Sequence, residues 1–213
     1  MAGTLTDLLA AAHVRQAGQL ENQPRPVLDL WSRANLSGRL VEISAAGPAA
    51  ALTAAVGLVH ETQREGDPVA WITTLRSTFY PPDVADAGVD LASLAVVRAP
   101  DGRTAARAAD RLIRSGAFGL IVLDLPGEAH IATAQQGRLV SLAQKHDTAV
   151  VCVTAKAADA PSIGSMVSLR VEAQRLAGGA PGRYRCRFRA LKDKQRGPGW
   201  EHAEEVRGPA GLR

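Results

Sequence analysis

Residues 120–125 read Leu-Ile-Val-Leu-Asp-Leu, and they decide the fold. Six residues are too few for a buried helix. A run apolar on both alternate faces is a strand packed on both sides, the pattern of a parallel sheet covered by helices. The segments on either side agree. Upstream, Arg103–Arg114 is an amphipathic helix closed by Ser115-Gly116. Downstream, Ala134–Lys145 reads as a helix and Ala149–Thr154 (AVVCVT) as a second buried strand. Farther upstream the alternation continues, with strands at Arg39–Ile43 (RLVEI), Pro68–Thr73 (PVAWIT) and Leu94–Arg98. Between them lie helices at Ala49–Glu65, ending at Gly66, and at Pro81–Ala87, stopped by Gly88. Such alternation predicts an α/β fold with a mostly parallel sheet flanked by helices. Ligand sites in that architecture lie at the carboxyl ends of the strands.

The last third changes period. Val167–Ala173 (VSLRVEA) and Arg183–Leu191 (RYRCRFRAL) alternate every two residues around GGAPG, which predicts an antiparallel C-terminal edge hairpin. Residues 197–213 hold four Gly and two Pro and read as a flexible tail. At the other end, residues 4–20 read as a helix and ENQPRP, with Pro24 and Pro26, as a semi-rigid linker. The expected organisation is a helix and linker over 1–26, a core over 27–196 and a tail over 197–213.

Composition bounds the function. Of 213 residues, 46% are hydrophobic and 22% charged, which suits one α/β domain and argues against wholesale disorder. No apolar run reaches the ~18 residues of a membrane span, and the N-terminal residues lack a signal-peptide pattern. A cytoplasmic protein without membrane attachment is expected. Cys152 and Cys186 fall in apolar strands and read as buried thiols. The five histidines are scattered. His60-Glu61 begins an H-E-x-x-H motif, but Arg64 stands at the second ligand position. There is no C-x-x-C and no G-x-S-x-G, so neither a metal nor a covalent nucleophile is expected.

An α/β sheet of this kind raises the question of a phosphate loop. The motif G-x-x-x-x-G-K-[ST] needs a lysine directly after glycine. The four lysines follow Gln144, Ala155, Leu191 and Asp193, so no Gly-Lys pair exists. The segment after RLVEI, Ser44 to Thr53, keeps one glycine, Gly47. Pro48 removes a backbone N–H, and Thr53 lies too far along the helix to serve as the magnesium hydroxyl. Asp124 occupies the end of a buried strand, where a magnesium-orienting carboxylate would stand. Without the loop it reads better as a cap for the following turn. Gly47, Pro48, Thr53 and Asp124 are therefore taken as a degenerate nucleotide site, with no cofactor and no catalytic residue. A residual ATPase with a remodelled pocket is the enzymatic alternative.

One segment carries most of the positive charge. The chain has 25 basic and 21 acidic residues, a net +4. RYRCRFRALKDKQR, residues 183–196, contributes +6 and leaves −2 for the rest. In a strand, Arg183, Arg185, Arg187 and Arg189 share one face at ~7 Å intervals, while Tyr184, Cys186, Phe188 and Ala190 face the core. Four cations so spaced repel unless anions meet them. DNA or an acidic protein surface would do so, and Lys192, Lys194 and Arg196 extend the same candidate surface. The plainer reading is an edge strand that uses charge to resist aggregation.

The order of segments resembles the RecA recombinase core over roughly residues 27–206. The resemblance rests on GRLVEI, LTAAVGLVHETQREG, AGVDLASLAVVRAPDGR and RSGAFGLIVLDL. ALKDKQRGP is similar to the recombinase segment whose two lysines reach a neighbour's nucleotide, here Lys192 and Lys194. Three departures accompany it. The phosphate loop is shortened, Thr74-Leu75-Arg76 replaces the catalytic glutamate, and the DNA-gripping loop after AVVCVT is reduced to about AKAADAPSIGSM. With STFYPPDVADAGVDL, the chain resembles the ImuA family of RecA-like accessory proteins. That resemblance implies a non-catalytic role in damage-induced mutagenesis by translesion synthesis. The implied partners are RecA, and ImuB with its associated error-prone polymerase. Direct DNA binding is the alternative, and self-association stays open.

Overall fold

The apolar runs that stand out in the sequence form the middle of one sheet. In a computed structural model, the described residues are 30–46, 48–75, 77, 79–176 and 183–207. The expected N-terminal helix and linker, Gly47, the hairpin turn and the end of the tail lie outside them. After a four-residue helix α1 (Arg33–Leu36), the order is β1 (Leu40–Ala45), α2 (Pro48–Arg64), β2 (Val69–Thr74) and α3 (Pro81–Asp86). Then come a 3-10 turn (Leu91–Ser93), β3 (Leu94–Ala99), α4 (Gly102–Arg114), β4 (Leu120–Leu125), α5 (Thr133–His146) and β5 (Ala149–Ala155). β6 (Leu169–Leu176), β7 (Arg183–Asp193) and β8 (Glu201–Arg207) follow among the described residues.

The eight strands form one sheet in the order β3-β2-β4-β5-β1-β6-β7-β8. β1 to β6 run parallel, and β7 and β8 are antiparallel additions. β1, β2 and β4 are buried at every position, as strands with a layer on each face must be. On one face, α2 packs Ala50, Ala51, Ala54, Ala55, Leu58 and Val59 against Val41, Ile43, Trp71, Val122 and Val151. On the other, Ala105, Ala106, Ala109 and Ile113 of α4 and Leu139 and Ala143 of α5 cover Ile72, Ile121, Leu123 and Val150. The alanines let both layers lie close to the sheet, which explains how a chain with 4% aromatic residues fills its core.

The mostly parallel sheet and its antiparallel extension follow the expectation. Two details correct it. β7 is not an edge strand, because β6 flanks it on one side and β8 on the other. β8 itself arises from residues read as flexible tail. Glu201, Ala203 and Glu205 are exposed while His202, Glu204 and Val206 are half-buried, a period of two that suits a strand covered on one face. Its hold on the core is aromatic. Trp31 stacks on Phe188 at a centroid separation of 5.1 Å, and Phe188 on His202 of β8 at 5.9 Å. Cys152 and Cys186 are buried free thiols. Burial pushes both above the ordinary thiol range, Cys186 to about 11. Among the described residues no helix is long and apolar enough to cross a membrane.

Candidate functional site

Three groups of polar residues emerge, and the first lies at the carboxyl ends of β1 and β4. β1 ends at Ala45 and α2 begins at Pro48, so two residues connect them. A phosphate loop needs several successive backbone N–H groups converging on the anion, then a lysine. This connection offers two residues, Ala46 and Gly47, followed by a proline. Gly47 lies outside the described residues. Thr53 sits more than a turn into α2, and its hydroxyl hydrogen-bonds the Tyr184 hydroxyl of β7 at 2.9 Å. Asp124, in register with Thr73 of β2, is 5% exposed. Its Oδ2 accepts from Thr73 Oγ1 at 3.3 Å and from Ser77 Oγ. Burial raises the Asp124 pKa, and the hydrogen bonds from Ser77 and Thr73, with the Trp71 indole nearby, only partly offset it. The carboxylate thus ties the β2–α3 loop to β4. A magnesium–triphosphate asks for a charged, open carboxylate, a lysine and a first-turn hydroxyl. The donor set here does not fit it.

The second group was not legible from the sequence. Glu42 in the middle of β1 is fully buried. It accepts from Thr154 Oγ1 at 3.0 Å, Ser162 Oγ at 2.7 Å and the Ile163 N–H at 3.0 Å. Lys156 Nζ lies 3.4 Å from its carboxylate and Arg170 Nε 3.9 Å. Arg170 in turn donates to Ser44 Oγ and to the carbonyls of Ala157 and Ala160. The buried charge is both paired and hydrogen-bonded, the condition for its surviving inside. The network fastens the helix-free crossover from β5 to β6. Gln136 of α5 holds the same crossover, accepting from the Met166 N–H at 3.1 Å. The signal for this group was a glutamate inside an apolar strand, with an arginine on β6 pairing with it in register.

The third group is the arginine strand. Cys186, Phe188 and Ala190 are buried as expected, while Tyr184 is half-buried with the Arg175 guanidinium 4.0 Å above its ring. The arginines point the other way, but the anions that meet them are internal. Arg189 pairs with Glu172 of β6 at 2.9 Å, Arg187 with Glu201 of β8 at 3.7 Å, and Arg183 with Glu205 at 3.7 Å. Arg185 stands opposite Glu205 in register. Lys192, next to last in β7, and Lys194 and Arg196 just after it lie beside the amino ends of β1 and β6. The structure therefore does not bring them to Asp124. Lys192 has its pKa lowered by burial and by nearby Lys194. Lys194 Nζ donates to the Ser165 carbonyl at 2.8 Å, and Arg196 to Asn35 Oδ1 at 3.0 Å. Between them Asp193 is buried, receiving Arg39 at 2.8 Å and the Trp200 indole at 3.0 Å.

A six-stranded parallel core with an antiparallel extension, α2 rising from the end of β1 and a buried aspartate ending β4, defines a RecA-like α/β protein. A family profile described as the RecA N-terminal domain matches residues 33–156, more than half the chain, and the chain belongs to that family. Among curated proteins it is similar to Protein RecA of Ruminococcus albus, 32% identical over 127 residues, covering 54% of this chain and 31% of that one. Protein RecA of Nocardioides sp. is 41% identical over 88 residues, 41% of this chain and 25% of that one. Protein RecA of Fusobacterium nucleatum is 36% identical over 87 residues, 41% and 23% respectively. The chain thus spans less than a third of the length of these relatives.

Proposed function

We propose that this protein is a non-catalytic RecA-related accessory factor in DNA-damage-induced translesion synthesis. It acts in the cytoplasm by binding RecA and the ImuB polymerase assembly rather than by hydrolysing a nucleotide. One observation carries the reading. The sheet and helices of a RecA-like core are kept, while the connection that should cradle a triphosphate is two residues long and leads into Pro48. Thr53 and Asp124 have been taken into the packing of the fold, bonded to Tyr184 and to Ser77 and Thr73. A homologue that keeps a recombinase surface without its switch is suited to cap or interrupt a head-to-tail assembly.

The test is binding of purified protein to RecA filaments, with and without ATP, and to ImuB, by interferometry. Saturable binding to either is expected. Absence of binding to both removes the proposal.

DNA binding through β7 is the second reading. In its favour are four guanidinium groups on one sheet face. Against it stand the carboxylates of Glu172, Glu201 and Glu205, already within 4 Å of three of them.

A further inference from the structure

A second arginine array lies on the helical layer and takes no part in the surfaces above. α4 carries Arg103, Arg107, Arg111 and Arg114, spaced by four, four and three residues. At ~1.5 Å rise and ~100° per residue, that spacing sets all four on one solvent-facing stripe, about 6 Å apart. Beside the stripe, between α4 and α5, runs a groove of about 320 Å³. Arg107, Arg111, Arg138, Asp110 and Gln135 line it, over a floor of buried Ala106 and Leu139.

The carboxylate in the groove is already satisfied. Asp110 accepts from Arg138 Nε at 2.6 Å and from Arg114 Nε at 3.2 Å. Arg107 and Arg111 are exposed and, among the described residues, make no ion pair. The groove therefore offers two unneutralised guanidinium groups above an apolar floor, with an amide at one end.

We propose that this groove docks an extended acidic segment of a partner protein. A guanidinium fork matches a carboxylate in a bidentate pair. Carboxylates on alternate residues of an extended chain recur every ~7 Å, close to the arginine spacing on α4. A single nucleic-acid strand would find no aromatic side chain to stack on among the lining residues. The inference stands apart from the identity of the partners proposed above.

The test uses a fluorescein-labelled peptide of about 12 residues, alternating Glu and Ala, titrated by anisotropy at roughly 50 mM salt, where charge contacts are least screened. Saturable binding is expected, weakened ~10-fold or more by the Arg107→Glu/Arg111→Glu pair, with an unchanged melting temperature. Arg183→Glu/Arg185→Glu, an equal change of charge on β7, should shift it less than ~2-fold. Equal weakening by both pairs, weakening by neither, or no saturable binding overturns the proposal. So does displacement of the peptide by a single-stranded oligonucleotide that binds more tightly and whose own binding the α4 pair abolishes.

Discussion

Asp124 is held by its neighbours rather than offered to a ligand, and its raised pKa has a definite sign. The folded state retains the proton to higher pH than the unfolded state. Its contribution to stability is therefore greatest at low pH and falls as pH rises above the ordinary value of 3.8 through the raised one. Asp124→Asn, which keeps an oxygen for Ser77 and Thr73, should remove that fall and fold at pH 7. Urea melts from pH 4 to 7 check it, and an unchanged slope would contradict it. Asp193 behaves oppositely. Burial alone would raise its pKa, but the Gln195 N–H, the Trp200 indole and Arg39 hold it below the usual range. Its stabilisation is present above pH 3.8 and is lost as pH falls through the lowered value. Arg39→Met leaves this buried carboxylate without its cation and should cost ~3 kcal/mol in equilibrium unfolding at pH 7. Gly164 is fixed for a steric reason. A Cβ there would overlap the Gln136 side-chain amide, and Gln136 is itself buried and bonded to the Ile131 carbonyl. Gly164→Ala should cost ~1–3 kcal/mol by the same measurement.

At the scale of elements, the sequence was clearest where burial is greatest. Continuous apolar runs such as LIVLDL and AVVCVT can only be interior strands, and β4 and β5 begin at the expected residues, β5 running one residue further. It was least clear where stability comes from partners distant in the chain. EHAEEVR has few apolar residues, and it becomes β8 because β7 supplies its ladder and Phe188 a surface for His202. Glu42 looks like a solvent-facing position in RLVEI until the β5–β6 crossover is seen folded over it. The same non-local pairing changes the meaning of the arginine strand, whose spacing is legible in the sequence while its counter-charges, on β6 and β8, are not. Truncation after Gly199 tests that point. Removing β8 deletes Glu201 and Glu205 and makes β7 an edge strand. Oligonucleotide affinity should rise, with a salt slope of roughly −0.9 per phosphate on duplex DNA. No gain in affinity would mean that β8 does not mask a cationic surface.

For the whole molecule, a RecA-like core uses the polar residues at the carboxyl ends of its strands to hold its layers and loops together. Thr53 joins α2 to β7, Asp124 joins β4 to the β2–α3 loop, and Glu42 fastens the β5–β6 crossover. On the function proposed above, what acts is surface: the sheet extension, the lysines at the carboxyl end of β7 and the helical layer. The most direct measurement of this account is a thermal melt of the full chain with and without millimolar Mg-ATP. A nucleotide bound at 100 times its dissociation constant would add ~2.7 kcal/mol and a shift of several degrees. No shift is predicted. A saturable upward shift abolished by Asp124→Ala would contradict the account.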